Sequence, residues 1–237
     1  KKLIETEHLS VQYGSKVALK PLSISINSGE IVALMGRNGA GKSSFIKALL
    51  GVAAHQGRII SKVKKIGYIP QDANDLLYHQ SVKDECQQND KDNNLDSGTT
   101  FALLNLLTPN VKEISHPRDL SEGQRLALVL AIVLAPNPDV LILDEPTRGL
   151  DYSAKELLVQ QLLERSRNGA AVLIATHDVE LVAELASRIV ILADGELVAD
   201  GPTVDVLLAS PAFAPQVTKV MSPRKWLTVS DVLKALE

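Results

Sequence analysis

The eight residues "GRNGAGKS", Gly36 to Ser43, most strongly constrain what this chain can fold into. They follow the continuous apolar run "IVALM" and lead into "KSSFIKALLG", which has the pattern of a short helix ended by a glycine. An uninterrupted apolar run of this length is typical of a strand that is buried on both faces. The sequence therefore predicts a buried strand, a glycine-rich turn and a helix in direct succession.

The glycine-rich turn has the spacing of a phosphate-binding loop. Backbone N–H groups near Gly39 and Gly41 would surround a β-phosphate, and the N-terminus of the following helix favours negative charge. Lys42 would contact the β- and γ-phosphates, and the Ser43 hydroxyl would hold Mg²⁺. The expected phosphate-binding residues are Gly36, Arg37, Asn38, Gly39, Ala40, Gly41, Lys42, Ser43 and Ser44.

Two adjacent acids end a second apolar run, "VLILDEP". Asp144 is the candidate that holds Mg²⁺ through a water molecule. Glu145 follows at once, and because neighbouring residues on a strand end point in different directions, it is the candidate general base that faces an attacking water. If the two acids are considered without the phosphate-binding loop, the alternative interpretation is that they are simply exposed to solvent at the end of a strand.

Buried-strand patterns alternate with helical patterns in the second half of the chain, as in "DVLILD" and "AAVLIA". This alternation predicts an α/β fold with a mostly parallel sheet, the architecture of a P-loop nucleotide-binding (RecA-like) core. Residues 3–31 instead alternate with period two between turn residues, which predicts an N-terminal antiparallel β subdomain. Asp194 and Gly195 lie between two apolar runs and predict a hairpin.

The domain organisation follows from these patterns. Residues 1–71 and 120–201 are predicted to form the nucleotide-binding core. Residues 72–119 are predicted to be a helical insert with a solvated loop over the polar tract "QQNDKDNNLDSG". Residues 202–237 are predicted to be a short C-terminal helical extension in which Trp226 is the packing anchor.

Composition excludes several classes of protein. A formal net charge of −3 provides no overall basic field, so we expect no nucleic-acid partner. The longest apolar run, Leu126 to Ala135, is about half of what a bilayer crossing requires. The single cysteine, Cys86, allows no intrachain disulfide and suits a reducing cytosol. The first residue is not Met, which suggests a chain cut from a longer polypeptide.

The stretch "LSEGQ" precedes another apolar run. Ser121 and Gln124 have the spacing of a capping box at the start of a helix. A capping box does not explain Gly123, since glycine inside a helix costs about 1 kcal/mol relative to alanine. Glycine lets an anion approach the backbone at a helix N-terminus, so Ser121, Glu122, Gly123 and Gln124 form a second candidate anion site.

Taken together, these motifs resemble those of the ATP-binding cassette (ABC) ATPases across essentially Leu3 to Gly201. The resemblance implies that Tyr13 stacks on adenine and that Gln71 contacts Mg²⁺ and the attacking water. It also implies that His177 in "ATHD" holds the γ-phosphate and that the loop at Asp151 crosses to a partner. The "LSEGQ" stretch is similar to the family signature, with Glu122 where glycine is usual.

In this family two cassettes pair head to tail, and each ATP is held between the phosphate loop of one and the signature helix of the other. The resemblance therefore implies that this chain supplies two half-sites and needs a second cassette, identical or not, to complete either. ATP and Mg²⁺ are the implied ligands. Hydrolysis is expected to depend on dimerisation.

Three classes of function remain to be weighed. The signature and His177 disfavour a P-loop kinase, and the short insert disfavours a soluble cassette that acts in translation or DNA maintenance. The stretch "HPRDLSEGQRLALVLAIVLAPNPDVLILDEPTRGLDYSAKE" is similar to energy-coupling factor ATPases, which drive vitamin and metal uptake, and the tail is similar to versions with two fused cassettes. This resemblance implies a cytoplasmic protein, peripheral on the inner face of the membrane, that docks on a transmembrane scaffold beside a solute-binding subunit.

Overall fold

The computed structural model of this protein describes residues 1–148, 150–209, 215–221 and 226–235. Among these residues the strands are β1 (Lys2–Tyr13), β2 (Lys16–Leu22), β3 (Ser25–Asn27), β4 (Ile31–Met35), β5 (Gln56–Ser61), β6 (Ile66–Ile69), β7 (Val140–Asp144), β8 (Ala171–Ala175), β9 (Arg188–Ala193) and β10 (Glu196–Pro202). The helices are α1 (Lys42–Leu49), α2 (Val82–Asp92), α3 (Thr99–Leu107), α4 (Glu122–Leu134), α5 (Tyr152–Arg167), α6 (Val179–Leu185), α7 (Thr203–Ala209), α8 (Gln216–Met221) and α9 (Val229–Lys234).

The larger sheet has the strand order β10-β9-β4-β8-β7-β6. All neighbouring strands in it are parallel except β10, which pairs antiparallel with β9 around Asp194 and Gly195. The mostly parallel sheet and the hairpin are therefore confirmed. In the smaller sheet, β1 pairs antiparallel with β2, β3 and β5, which confirms the N-terminal antiparallel subdomain.

The middle strands of the larger sheet are buried on both faces. Every residue of β4, β7 and β8 is buried, as continuous apolar runs predict. Because these strands are parallel, their carboxyl ends lie at the same edge of the sheet. The loops that follow Met35, Asp144 and Ala175 therefore emerge next to one another.

The helical insert differs from the sequence prediction in one respect. The expected solvated loop over Gln87 to Gly98 is wrong in its first half, because α2 continues to Asp92. Asp90 is 3% exposed, and its carboxylate accepts hydrogen bonds from the Gly98 N–H at 2.7 Å and the Thr100 N–H at 2.9 Å. This buried acid holds the start of α3 against α2. The polar stretch that predicted exposure to solvent therefore includes a residue that makes an internal contact.

The described parts of the C-terminal extension contain α7, α8 and α9, although 210–214, 222–225 and 236–237 of the predicted segment lie outside the described residues. Leu227, 5% exposed, packs in the cluster that contains Met35 and Leu207. Trp226, the predicted anchor, is only partly buried. The buried side chain of this stretch is therefore that of the neighbouring Leu227.

Within the described part of the chain, no helix is both long enough and apolar enough to cross a lipid bilayer.

Candidate functional site

The glycine-rich loop between β4 and α1 is packed too tightly for side chains at two of its positions. Gly36 has a φ of 148°, and a Cβ placed on it would lie 2.3 Å from the Leu192 carbonyl oxygen. Gly41 has a φ of 104°, and its Cβ would lie 2.7 Å from the Ala18 carbonyl oxygen. Both positions therefore require glycine, and the loop is held in a fixed curve at the N-terminus of α1.

Lys42 places its positive charge inside this curve. The side chain is 7% exposed, and its ammonium group donates to the Gly36 carbonyl at 2.7 Å and to the Arg37 carbonyl at 3.4 Å. The N-terminus of α1 adds the partial positive charge of its unpaired N–H groups. This arrangement of positive charge suits an anion, which is the ligand that the sequence predicts for the loop.

A hydrogen bond between Ser43 and Asp144 links the start of α1 to the end of β7. The Ser43 hydroxyl donates to Asp144 Oδ2 at 3.1 Å. Burial raises the pKa of Asp144, and the hydrogen bond from Ser43 opposes that rise. A hydroxyl and a carboxylate oxygen at this spacing are hard donors of the kind that Mg²⁺ prefers, so the pair fits the predicted metal site.

Glu145 points away from Asp144, towards the loop after β8. Its backbone φ is 50°, in the left-handed region, and its N–H donates to the Ala175 carbonyl at 2.7 Å. Its Oε2 lies 2.8 Å from His177 Nδ1 and accepts from the Thr176 hydroxyl at 3.3 Å. The two adjacent acids therefore face different partners, as predicted.

These groups surround one cleft of about 440 Å³. The residues that line it are Tyr13, Lys16, Ala18, Asn38, Gly39, Gly41, Lys42, Ser43, Ser44, Gln71, Asp144, Glu145, Arg148 and His177. Tyr13 is 48% exposed, so its ring is available at the mouth of the cleft. Gly36, Arg37 and Ala40 belong to the predicted loop but do not line the cleft.

Three lining residues were missed by the sequence interpretation. Lys16 and Ala18 enter the cleft because β2 pairs with β1, with Tyr13 directly opposite Lys16. Arg148 enters because the chain turns after β7, where the Arg148 N–H donates to the Glu145 carbonyl at 3.2 Å. Only the short spacing between Glu145 and Arg148 in "DEPTR" could have signalled this position.

The second candidate anion site lies apart from the cleft. Ser121 and Gln124 form the predicted capping box at the start of α4. The Gln124 N–H donates to Ser121 Oγ at 3.3 Å. Glu122 lines a neighbouring groove of about 140 Å³ that also contains Gln71. A Cβ on Gly123 would have Ala154 Cβ, at 3.9 Å, as its nearest contact within the described residues. Packing inside the described chain thus gives no reason for glycine at this position.

Asp151 has a local role in the structure. It is the N-cap of α5, and its Oδ1 accepts from the Ala154 N–H at 2.8 Å and the Ser153 hydroxyl at 3.0 Å. These hydrogen bonds lower the pKa of Asp151, with that from Ala154 as the largest cause. The side chain does not line the cleft.

Comparison with known proteins gives a consistent result. The family model described as ABC transporter matches residues 19–148. An ABC transporter ATP-binding protein from Streptomyces avermitilis is 51% identical over 97% of this chain and 43% of its own length. One from Streptomyces coelicolor is 48% identical over 98% of this chain and 44% of its own length. The chain thus spans less than half the length of these relatives.

A solved structure shows the same overall arrangement. CbiO1 from Clostridium perfringens, described as part of the ABC transporter complex CbiONQ, is 26% identical to this chain. The match has a TM-score of 0.78 and covers 98% of this chain and 99% of that chain.

The two glycine sites predict opposite effects of alanine on stability. We expect Gly123→Ala to stabilise the chain by up to about 1 kcal/mol, because alanine favours helix and the added methyl group has room. Gly41→Ala should destabilise it by at least about 1 kcal/mol, because the methyl group meets the Ala18 carbonyl and φ is positive. Urea unfolding of both variants measures the difference, and a loss of stability in Gly123→Ala would show that α4 needs the glycine internally.

Proposed function

The chain belongs to the ABC transporter family of ATP-binding proteins, and we propose that it hydrolyses ATP to power the movement of a solute across a membrane. The observation that carries the proposal is the arrangement at the carboxyl ends of β4, β7 and β8. There a buried Lys42 lies inside a phosphate-sized loop, beside the Ser43–Asp144 pair and the Glu145–His177 pair.

The loop and its lysine would bind the nucleotide phosphates. Backbone N–H groups from Asn38 to Ser44 and the Lys42 ammonium group would neutralise the β- and γ-phosphates. Ser43 and Asp144, with Gln71 at the edge of the cleft, would hold Mg²⁺, which supplies positive charge against the phosphate oxygens when it is bound. Tyr13, half exposed at the mouth, would stack on the adenine ring.

Glu145 and His177 would act on the γ-phosphate. We assign Glu145 as the general base: it accepts a proton from water as the water oxygen attacks the γ-phosphorus and ADP leaves. His177 is 77% exposed at its side chain while its Nδ1 lies against Glu145, so its other ring nitrogen is free to face a phosphate oxygen. The pair thus provides a base and a phosphate contact side by side.

The signature residues would bind the ATP of a second cassette. The signature residues lie outside the cleft of their own chain, and a Cβ on Gly123 would come no closer than 3.9 Å to Ala154 Cβ. A backbone without a side chain at a helix N-terminus is suited to the close approach of a phosphate group from outside the chain. Asp151, at the start of α5, would contribute the loop that reaches the partner.

The partner cassette can be a separate chain or part of the same polypeptide. More than half of each Streptomyces relative lies beyond the region that matches this chain, which is enough length for a second cassette. We therefore favour the interpretation that this chain is one half of a fused pair.

The transport system is proposed to be of the energy-coupling factor type, which takes up a vitamin or a metal ion. The likeness to CbiO1 across nearly the whole of both chains supports this assignment. In such a system the chain would be peripheral on the cytoplasmic face of the membrane. The groove between the sheet and the helical insert, which Gln71, Glu122 and Arg125 line, would receive the transmembrane scaffold, and a solute-binding subunit would complete the complex.

Replacing Glu145 with Gln tests the hydrolytic role. Because the variant keeps the shape but cannot accept the proton, we expect ATP to bind normally while turnover falls about 10²- to 10⁴-fold. Phosphate release and nucleotide affinity are measured on the same preparation. Glu164→Gln, which alters an exposed residue on α5, is the control and should leave turnover and nucleotide affinity unchanged. Normal turnover in Glu145→Gln would show that another group is the base.

Isolation of the complete native polypeptide from its own membranes tests the transport role. In mild detergent we expect it to co-purify with a transmembrane scaffold and a small solute-binding membrane protein, identified by mass spectrometry. The bound solute would then identify the cargo. Recovery in the aqueous fraction with ribosomes or DNA would contradict transport and favour a cassette that acts in translation or DNA maintenance.

A further inference from the structure

We propose that Lys155 and Asp178 are positioning residues that fix the Glu145–His177 pair by tying it to the first turn of α5. This inference rests on the proposed ATP hydrolysis, because it assigns residues that act on that reaction through Glu145. Neither residue lines the cleft. Both act through a chain of hydrogen bonds that reaches it.

The two carboxylate oxygens of Asp178 have different partners. Oδ1 accepts from the Leu181 N–H at 3.1 Å and caps α6. Oδ2 accepts from the Lys155 ammonium group at 3.2 Å and from the Thr147 hydroxyl at 3.3 Å. A helix cap needs only the first oxygen. The second oxygen therefore serves a separate bridge.

The backbone of Asp178 continues this bridge to the candidate base. Its N–H donates to the Thr176 hydroxyl oxygen at 3.1 Å, and that hydroxyl donates to Glu145 Oε2 at 3.3 Å. Thr176 is fully buried. Since a hydroxyl has one proton, its acceptance from Asp178 directs that proton to Glu145. The position of Asp178 thus determines where Thr176 points.

Lys155 connects this assembly to α5. Its backbone N–H donates to the Asp151 carbonyl at 3.1 Å, so it lies one turn into the helix that Asp151 caps. Through Thr147 and Lys155, Asp178 contacts both the loop after β7 and the start of α5. These are the two segments on either side of the residues that would approach a partner.

The Lys155–Asp178 pair is only partly shielded from solvent, with side-chain exposures of 41% and 21%. Burial is the largest single influence on the Asp178 pKa and raises it, but the hydrogen bonds and the Lys155 charge together lower the pKa below its ordinary value. Partly exposed ion pairs contribute little to overall stability. An effect on turnover would therefore reflect position rather than a loss of folding.

The test uses Lys155→Met, Lys155→Arg and Asp178→Asn in the complete native polypeptide. Asparagine keeps the oxygen that caps α6 but removes the charge that Lys155 needs, whereas arginine keeps the charge and the donors. For Lys155→Met and Asp178→Asn, we expect kcat to fall about tenfold. This is the size of effect expected when one interaction that positions a reacting group is lost. The nucleotide Kd should stay within about twofold, since no phosphate contact is removed.

Lys155→Arg should recover most of the lost kcat. Lys83→Met, which breaks an exposed ion pair with Glu113 on the helical insert, is the matched control and should change neither kcat nor Kd. Unchanged kcat in Lys155→Met would overturn the inference while leaving the proposed function intact. The absence of ATP hydrolysis by the unsubstituted protein would overturn both, so the two failures are distinguishable.

Discussion

The hydrogen bond between Ser43 and Asp144 is the contact on which the rest of the site depends. It joins the start of α1, the helix that follows β4, to the end of β7, although β8 lies between β4 and β7 in the sheet. A buried carboxylate is unfavourable unless a hydroxyl or a cation faces it. We therefore expect the carboxyl edge of the sheet to favour a metal ion beside the glycine-rich loop.

The surrounding structure is strained or polar where the chemistry is proposed to occur. Glu145 adopts a left-handed backbone that an ordinary acidic residue adopts at a cost of about 1 kcal/mol or more. Its N–H bond to Ala175 and the buried hydroxyl of Thr176 keep it there. The polar network through Asp178 lies next to an otherwise apolar core. We expect this network to fix the orientation of Thr176 and Glu145 more than it stabilises the fold.

Local sequence patterns predicted the features that depend on neighbouring residues. The loop with Lys42 and Ser43, the acids at the end of β7 and the hairpin at Asp194 all have signals within a few residues. Features fixed by tertiary contact are harder to predict. The polar pattern around Asp90 predicts a solvated loop, because the partners of this acid lie at the start of the next helix, α3. Lys16 reaches the cleft only through strand pairing. The proposed role of Gly123 in another cassette's site cannot be seen in one chain, although the absence of a close contact at this glycine among the described residues is consistent with that role.

We propose that this chain carries two separate half-sites for ATP. The most direct measurement is a structure of the complete native polypeptide with Mg²⁺ and a non-hydrolysable ATP analogue. We expect the γ-phosphate to lie between Lys42 of one cassette and the backbone at the signature glycine of the other, with Mg²⁺ beside Ser43 and Asp144. A nucleotide bound at the phosphate loop with the signature helix of every cassette left in solvent would contradict it.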